Sequence, residues 1–126
     1  MQKKEVRVLI VEDEFLIAMQ VQGVLGQSGY DVCDLVSTGA EAIAYVKARP
    51  PDVILMDIRL PGEIDGIEAA QAIRTCCQVP IIFMSGYSDA ETVAQVEQID
   101  FAFLLEKPVF SGQLDQAIKR ALGQKR

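Results

Sequence analysis

The stretch VLIVEDE (residues 8–14) runs four apolar residues straight into three acids. Val8, Leu9, Ile10 and Val11 form a short unbroken apolar run rich in β-branched side chains. That is the pattern of a strand buried on both faces. Glu12, Asp13 and Glu14 then crowd like charges at its end, and charges that close disfavour one another's ionised forms. Something has to offset that repulsion.

Runs of the same kind recur along the chain. VRVLIV (6–11) is followed by DVCDLV (31–36), DVILMD (52–57), PIIFMS (80–85) and FAFLLE (101–106). Helical stretches separate them. EFLIAMQVQGVLGQ (14–27) stops at Ser28-Gly29. TGAEAIAYVKAR (38–49) opens on Ser37 or Thr38, with Glu41 placed for a capping box, and stops at Pro50-Pro51. DGIEAAQAIRTC (65–76) opens on Asp65, SDAETVAQVEQ (88–98) on Ser88, and SGQLDQAIKRAL (111–122) on Ser111. The last of these sets Leu114, Ala117, Ile118, Ala121 and Leu122 on one face. A strand followed by a helix, five times over, implies right-handed crossovers and a parallel sheet covered on both sides. The expected fold is α/β: a doubly wound five-stranded parallel sheet with five helices, in the flavodoxin-like order 2-1-3-4-5.

Composition agrees and excludes. The 126 residues fit one domain, and half are apolar, enough for a single sizeable core. The apolar runs are too short to span a bilayer. MQKKEVRVLIVEDE lacks the features of a signal peptide, which leads to the expectation of a cytoplasmic protein. The net charge of −6, with no basic block beyond QKR at 124–126, argues against nucleic-acid binding. Cys33, Cys76 and Cys77 are odd in number, two are adjacent, and no CxxC spacing occurs, so they read as reduced, packing thiols. With no histidine, the chain carries no Ser-His-Asp triad and no phosphohistidine of its own.

Doubly wound sheets bind ligands at the carboxyl ends of their strands. That edge collects Glu12 and Asp13 after the first strand, Asp57 at the end of the third, Ser85 at the end of the fourth and Lys107 after the fifth. Each alone has a plain structural reading, as a helix-start acid, a loop cap, a turn serine or a surface lysine. Their convergence on one edge points to a shared site. Clustered carboxylates without histidine or cysteine form a hard oxygen site suited to Mg²⁺, and the cation would offset their repulsion. A carboxylate can also take a phosphoryl group as an aspartyl-phosphate, with a lysine and a hydroxyl to steady it.

In LIVEDE, ILMDIRLPG…DG, IIFMSGYSD and LLEKP, taken in that order, the whole chain resembles the receiver domain of bacterial two-component response regulators. The resemblance implies a single receiver domain over residues 1–126, with no output domain in this chain. It implies Asp57 as phosphoacceptor and Asp13 as direct Mg²⁺ ligand, Mn²⁺ being a possible substitute. Glu12 would act through metal-bound water, and the Arg59 main-chain carbonyl would join the ligands. Ser85 would be the switch hydroxyl and Lys107 the phosphoryl-binding lysine, with a cis Lys107-Pro108 bond. The donor would be a sensor histidine kinase or a histidine phosphotransfer protein, docking on the first helix and the loops around Asp57. The output would be a changed protein contact through the fourth helix, fifth strand and fifth helix, with no enzymatic turnover of an external substrate, no nucleic acid and no membrane. Two features depart from the family. PGEIDG (61–66) is one residue longer than the usual loop, and Leu104 stands where an aromatic switch residue is usual. Phe103, one residue earlier, would face the other side of the sheet. Two alternatives remain. One is a receiver that docks without phosphorylation, which Leu104 alone favours. The other is a Mg²⁺-dependent phosphatase-like enzyme, which would want a second acid where Arg59 stands.

Overall fold

A computed structural model describes residues 5–86 and 89–124. The elements alternate throughout: β1 (Arg7–Val11), α1 (Phe15–Gln27), β2 (Asp31–Val36), α2 (Gly39–Ala48), β3 (Val53–Asp57), α3 (Gly66–Arg74), β4 (Ile81–Ser85), α4 (Ala90–Glu97), β5 (Ala102–Glu106) and α5 (Ser111–Gln124). All strand pairs are parallel, and the sheet runs β2-β1-β3-β4-β5. The expected architecture is observed.

Alternation along each strand builds two separate cores. Leu9, Val11, Ile54, Met56, Ile81 and Phe83 face α2, α3 and α4, where Val46, Ile73 and Val96 meet them. Val8, Ile10, Val53, Leu55, Ile82 and Met84 face α1 and α5, against Leu25, Leu114 and Ile118. The three central strands are fully enclosed, which is why their sequences read as continuous apolar runs. Phe103 packs with the second core and Leu104 with the first, so the two do lie on opposite faces.

Local signals close most helices as expected. The Thr38 hydroxyl accepts from the Glu41 amide at 3.1 Å, and the Glu41 carboxylate accepts from the Ser37 amide at 3.1 Å. Asp65 and Glu68 form a complete capping box. After α1, Gly29 takes φ +88°, a left-handed turn open to glycine. The cap of α4 is Asp89, whose side chain accepts from the Thr92 amide at 2.8 Å. Ser88, the expected opener of α4, lies outside the described residues. Ser111 is the first residue of α5 itself. No described helix is long and apolar enough to cross a membrane.

Candidate functional site

The register brings the strand ends to one edge. Val11 pairs with Val36 and Met56, Asp57 with Met84, and Ser85 with Glu106. The residue after each central strand therefore emerges beside its neighbours. Glu12 is held there by its own amide, which donates to the Val36 carbonyl at 2.9 Å. Ile58 N donates to Met84 O at 3.3 Å, and Lys107 N donates to Ser85 O at 2.7 Å.

Glu12, Asp57 and Ser85 are the buried polar residues among those described, in a core otherwise apolar. Lys107 joins two of them. Its Nζ donates to Glu12 Oε1 at 2.9 Å and to Asp57 Oδ2 at 3.0 Å. The second oxygen of each acid turns to the backbone: Glu12 Oε2 accepts from Glu14 N at 3.1 Å, and Asp57 Oδ1 from Arg59 N at 3.2 Å. Glu12 thereby satisfies the start of α1, where Glu14 makes no side-chain cap of its own. Asp13 is exposed, yet its carboxylate belongs to the same group. Oxygens of Glu12, Asp13 and Asp57 lie within 4.8 Å of one another. The Lys107-Pro108 bond is cis, as expected.

The electrostatics follow. Burial pushes the Glu12 carboxyl up, and the charge of Asp57 adds to it; the bonds from Lys107 and Glu14 pull the other way without prevailing. Burial opposes the Lys107 charge as well, but the hydrogen bonds and charges of Glu12 and Asp57 outweigh it and hold the ammonium above its ordinary value. The two shifts are compatible. Lys107 gains from two carboxylates, whereas Glu12 loses its water and gains a share of one cation. Three acids face one ammonium, so the pocket keeps an excess of negative charge.

Gly66 completes the site and was not singled out in the sequence beyond its role after the Asp65 cap. A Cβ built there would sit 2.2 Å from the Asp57 carbonyl oxygen and 2.9 Å from Ile58 Cα. The Gly66 amide donates to Ile58 O at 2.7 Å. Only glycine lets α3 start this close to the strand that carries Asp57. The 61–66 loop that leads to it is anchored. Gly62 has φ +98°, and Ile64 packs on the first core against Gly39 of α2. Arg59 is exposed beside the site, and its charge helps to hold Asp89 below the usual carboxylate range, after the bonds from Thr92.

A parallel sheet in this order, with an acid cluster and a lysine at its carboxyl edge, defines a doubly wound α/β module with a charged site at the edge where such folds take their ligands. The chain belongs to the response regulator receiver domain family, whose model matches residues 8–119. Phosphorylation on an aspartate is characteristic of that family. The transcriptional regulatory protein PdtaR of Mycobacterium tuberculosis is 32% identical over 118 residues, covering 94% of this chain and 57% of that protein. This chain thus spans little more than half of that relative. The chemotaxis protein CheY of Bacillus subtilis is 31% identical over 117 residues, covering 92% of this chain and 97% of that one. Among solved structures, the signal receiver domain of a modulated diguanylate cyclase from Desulfovibrio desulfuricans G20 is similar at 36% identity with a TM-score of 0.89, over 97% of each chain.

Proposed function

We propose that residues 1–126 act as one phosphoacceptor unit of a two-component phosphorelay, with Asp57 as the acceptor. The observation that carries this reading is the bridge from Lys107 to both Glu12 and Asp57 at the ligand edge of the sheet. A carboxylate oxygen of Asp57 attacks the phosphorus of a phosphohistidine on a sensor kinase or phosphotransfer protein. The P–N bond breaks, and its electron pair leaves with the imidazole nitrogen. Lys107 then follows the charge from carboxylate to phosphoryl oxygen, and Ser85 supplies a hydroxyl donor.

The donor set fits a hard divalent cation: three carboxylates, no histidine, no thiolate. Asp13, Asp57 and the Arg59 carbonyl are proposed as direct ligands. Glu12, with its two oxygens given to Lys107 and Glu14 N, is proposed to act through water. Bound here, Mg²⁺ supplies neutralising charge for the acids and the phosphoryl oxygens.

Apolar surface beside the site supports docking of the donor on α1. Phe15 and Leu16 are 69% and 82% exposed, and Phe110 in the β5–α5 loop is 63% exposed. An adjoining groove of about 380 Å³ is lined by Ile17, Val21, Pro108 and Val109 among others. The proposed output is the α4-β5-α5 face. Incubation with Mg²⁺ and acetyl phosphate, followed by intact-mass measurement, tests the reading. One added phosphoryl group on Asp57 is expected, and an unchanged mass in the presence of Mg²⁺ would refute it.

A further inference from the structure

The opposite end of α3 holds chemistry that phosphoryl transfer does not use. The helix ends at Arg74 with Thr75 as its cap, and Cys76 and Cys77 follow in the turn toward β4. Both are free thiols. Cys76 is exposed and its sulfur donates to the Ile73 carbonyl at 3.2 Å. Cys77 is half-buried against the first core. Lys47 and Arg74 lie close enough for their charges to act on the thiols.

Geometry limits what such a pair can do. Adjacent Cα atoms stand about 3.8 Å apart across a trans peptide. A disulfide wants roughly 4.4–6.8 Å. Direct S–S bonding is therefore strained, whereas a larger atom inserted between the sulfurs relieves that constraint. A four-ligand zinc site is also disfavoured. Among the described residues, the only group of three or more metal-capable side chains is Glu12, Asp13 and Asp57, at the other edge of the sheet. What remains is a soft site of two sulfurs and no third ligand.

We propose that Cys76 and Cys77 form a dithiol site for a thiophilic metalloid of the trivalent organoarsenical class. The step balances without an oxidant. An arsenoxide, R–As=O, condenses with two thiols; two S–H bonds and the As–O bonding break, two As–S bonds form, and one water leaves. Closing this ring restrains the turn whose Cys77 carbonyl accepts from Arg74 Nη1 at 3.0 Å. The same guanidinium reaches the Asp100 carbonyl at 3.0 Å, so the effect should extend to the α4–β5 turn and not to Asp57.

The test uses the full chain, folded, with phenylarsine oxide as probe and intact mass as readout. The expected product is one adduct per chain. It survives excess 2-mercaptoethanol, is removed by 2,3-dimercaptopropanol, is lost in Cys76→Ser and Cys77→Ala, and is retained in Cys33→Ser. Cys76 is exposed, so its serine variant carries the test even if Cys77→Ala loosens the core. A full-yield adduct in Cys76→Ser, stripping by the monothiol, or no adduct on the folded wild-type chain would each overturn the proposal.

Discussion

The two edges of the sheet handle charge in opposite ways. At the carboxyl edge, Glu12 and Asp57 are buried next to Asp13 with Lys107 as their shared cation. At the amino edge, the cations turn instead to backbone carbonyls, a neutral hydroxyl and an aromatic ring. Arg7 gives Nη1 to the Pro50 carbonyl and Nη2 to the Tyr45 hydroxyl, both at 3.0 Å, and its amide to Asp52 at 2.8 Å. Arg74 reaches Cys77 O, Val79 O and Asp100 O at 2.9–3.0 Å and lies over the Phe101 ring, 5.9 Å from its centre. Buried charge is costly unless it is paired and hydrogen-bonded. The amino edge meets that cost within the fold except at Arg74 Nη2, which is buried without a hydrogen-bond partner. The carboxyl edge leaves part of it to be met by something that binds. The proposed chemistry falls at the edge with the excess, and arginines bound to backbone carbonyls tie the fold at the other.

The largest expected effect is at the carboxyl edge. Asp57→Asn removes the proposed nucleophile with little change of volume and should abolish labelling by acetyl phosphate, with an unchanged circular dichroism spectrum. Undiminished labelling would end the assignment. The converse test is Arg74→Met. It deletes three hydrogen bonds to backbone carbonyls, each worth about 0.5–1.5 kcal/mol, so a loss of about 2–4 kcal/mol is expected in urea denaturation. Labelling of Asp57 should be untouched. A neutral stability effect, or a labelling defect, would blur the division between the edges.

A smaller contrast lies within the acid cluster. Asp13→Ala should weaken Mg²⁺ binding in calorimetry more than Glu12→Ala, because both Glu12 oxygens are already engaged. It should also raise the melting temperature slightly without metal, as one like charge leaves the group. Equal Mg²⁺ affinity in Asp13→Ala and wild type would remove Asp13 from the ligand set.

Much of this division was legible in the sequence, and the exceptions have physical reasons. The strands were expected at 6–11, 31–36, 52–57, 80–85 and 101–106 and are observed within a residue of each start. Buried parallel strands must be apolar on both faces, so their signal is strong. The acids, Ser85 and Lys107 were placed because each ends a strand. Gly66 was missed as a site residue because its constraint is the carbonyl of Asp57, nine positions earlier. Arg74 was missed because its acceptors are backbone carbonyls, one of them 26 positions away, and a carbonyl carries no residue identity. Phe15 and Leu16 are apolar yet exposed, and nothing in the apolar run of the first helix singles them out as surface residues.

The amino edge also sets a pH dependence. Tyr30 donates to Asp115 Oδ1 at 2.6 Å, and burial, then that bond, pushes the phenol up from its ordinary value of 10.0. Above pH 10 the unfolded chain releases this proton while the fold retains it. Stability should therefore fall as pH rises from 10, and less steeply in Tyr30→Phe. Denaturation midpoints of both proteins at pH 8 and above pH 10 check this; parallel curves would show that the bond is not maintained in solution.

The smallest expected effect concerns how far a change at the carboxyl edge travels. Leu104 pairs with Phe83 across β4 and β5, is half-buried, and packs on the first core that includes Val96 and Ile99. Phosphorylation of Asp57 would add about −1.5 to −2 of charge and new acceptor oxygens beside Ser85. Ser85 turning toward them would vacate space behind it. Leucine can fill part of that space, but it has no hydroxyl to partner at the surface, and its inward and outward rotamers present similar chemistry. A ligand shifts a conformational equilibrium only by its differential affinity for the two states. At a proposed switch position, a smaller, purely apolar residue would narrow that difference on the proposed output face. Beryllofluoride should accordingly shift amide resonances strongly around residues 57–60 and 85–86, and only modestly along α4, β5 and α5. Leu104→Tyr should enlarge the distal shifts and leave the proximal ones in place. Full-sized distal shifts in the wild type, unchanged by Leu104→Tyr, would mean that another element carries the signal to that face, with the anchored 61–66 loop and its Ile64 contact to α2 as the next to examine.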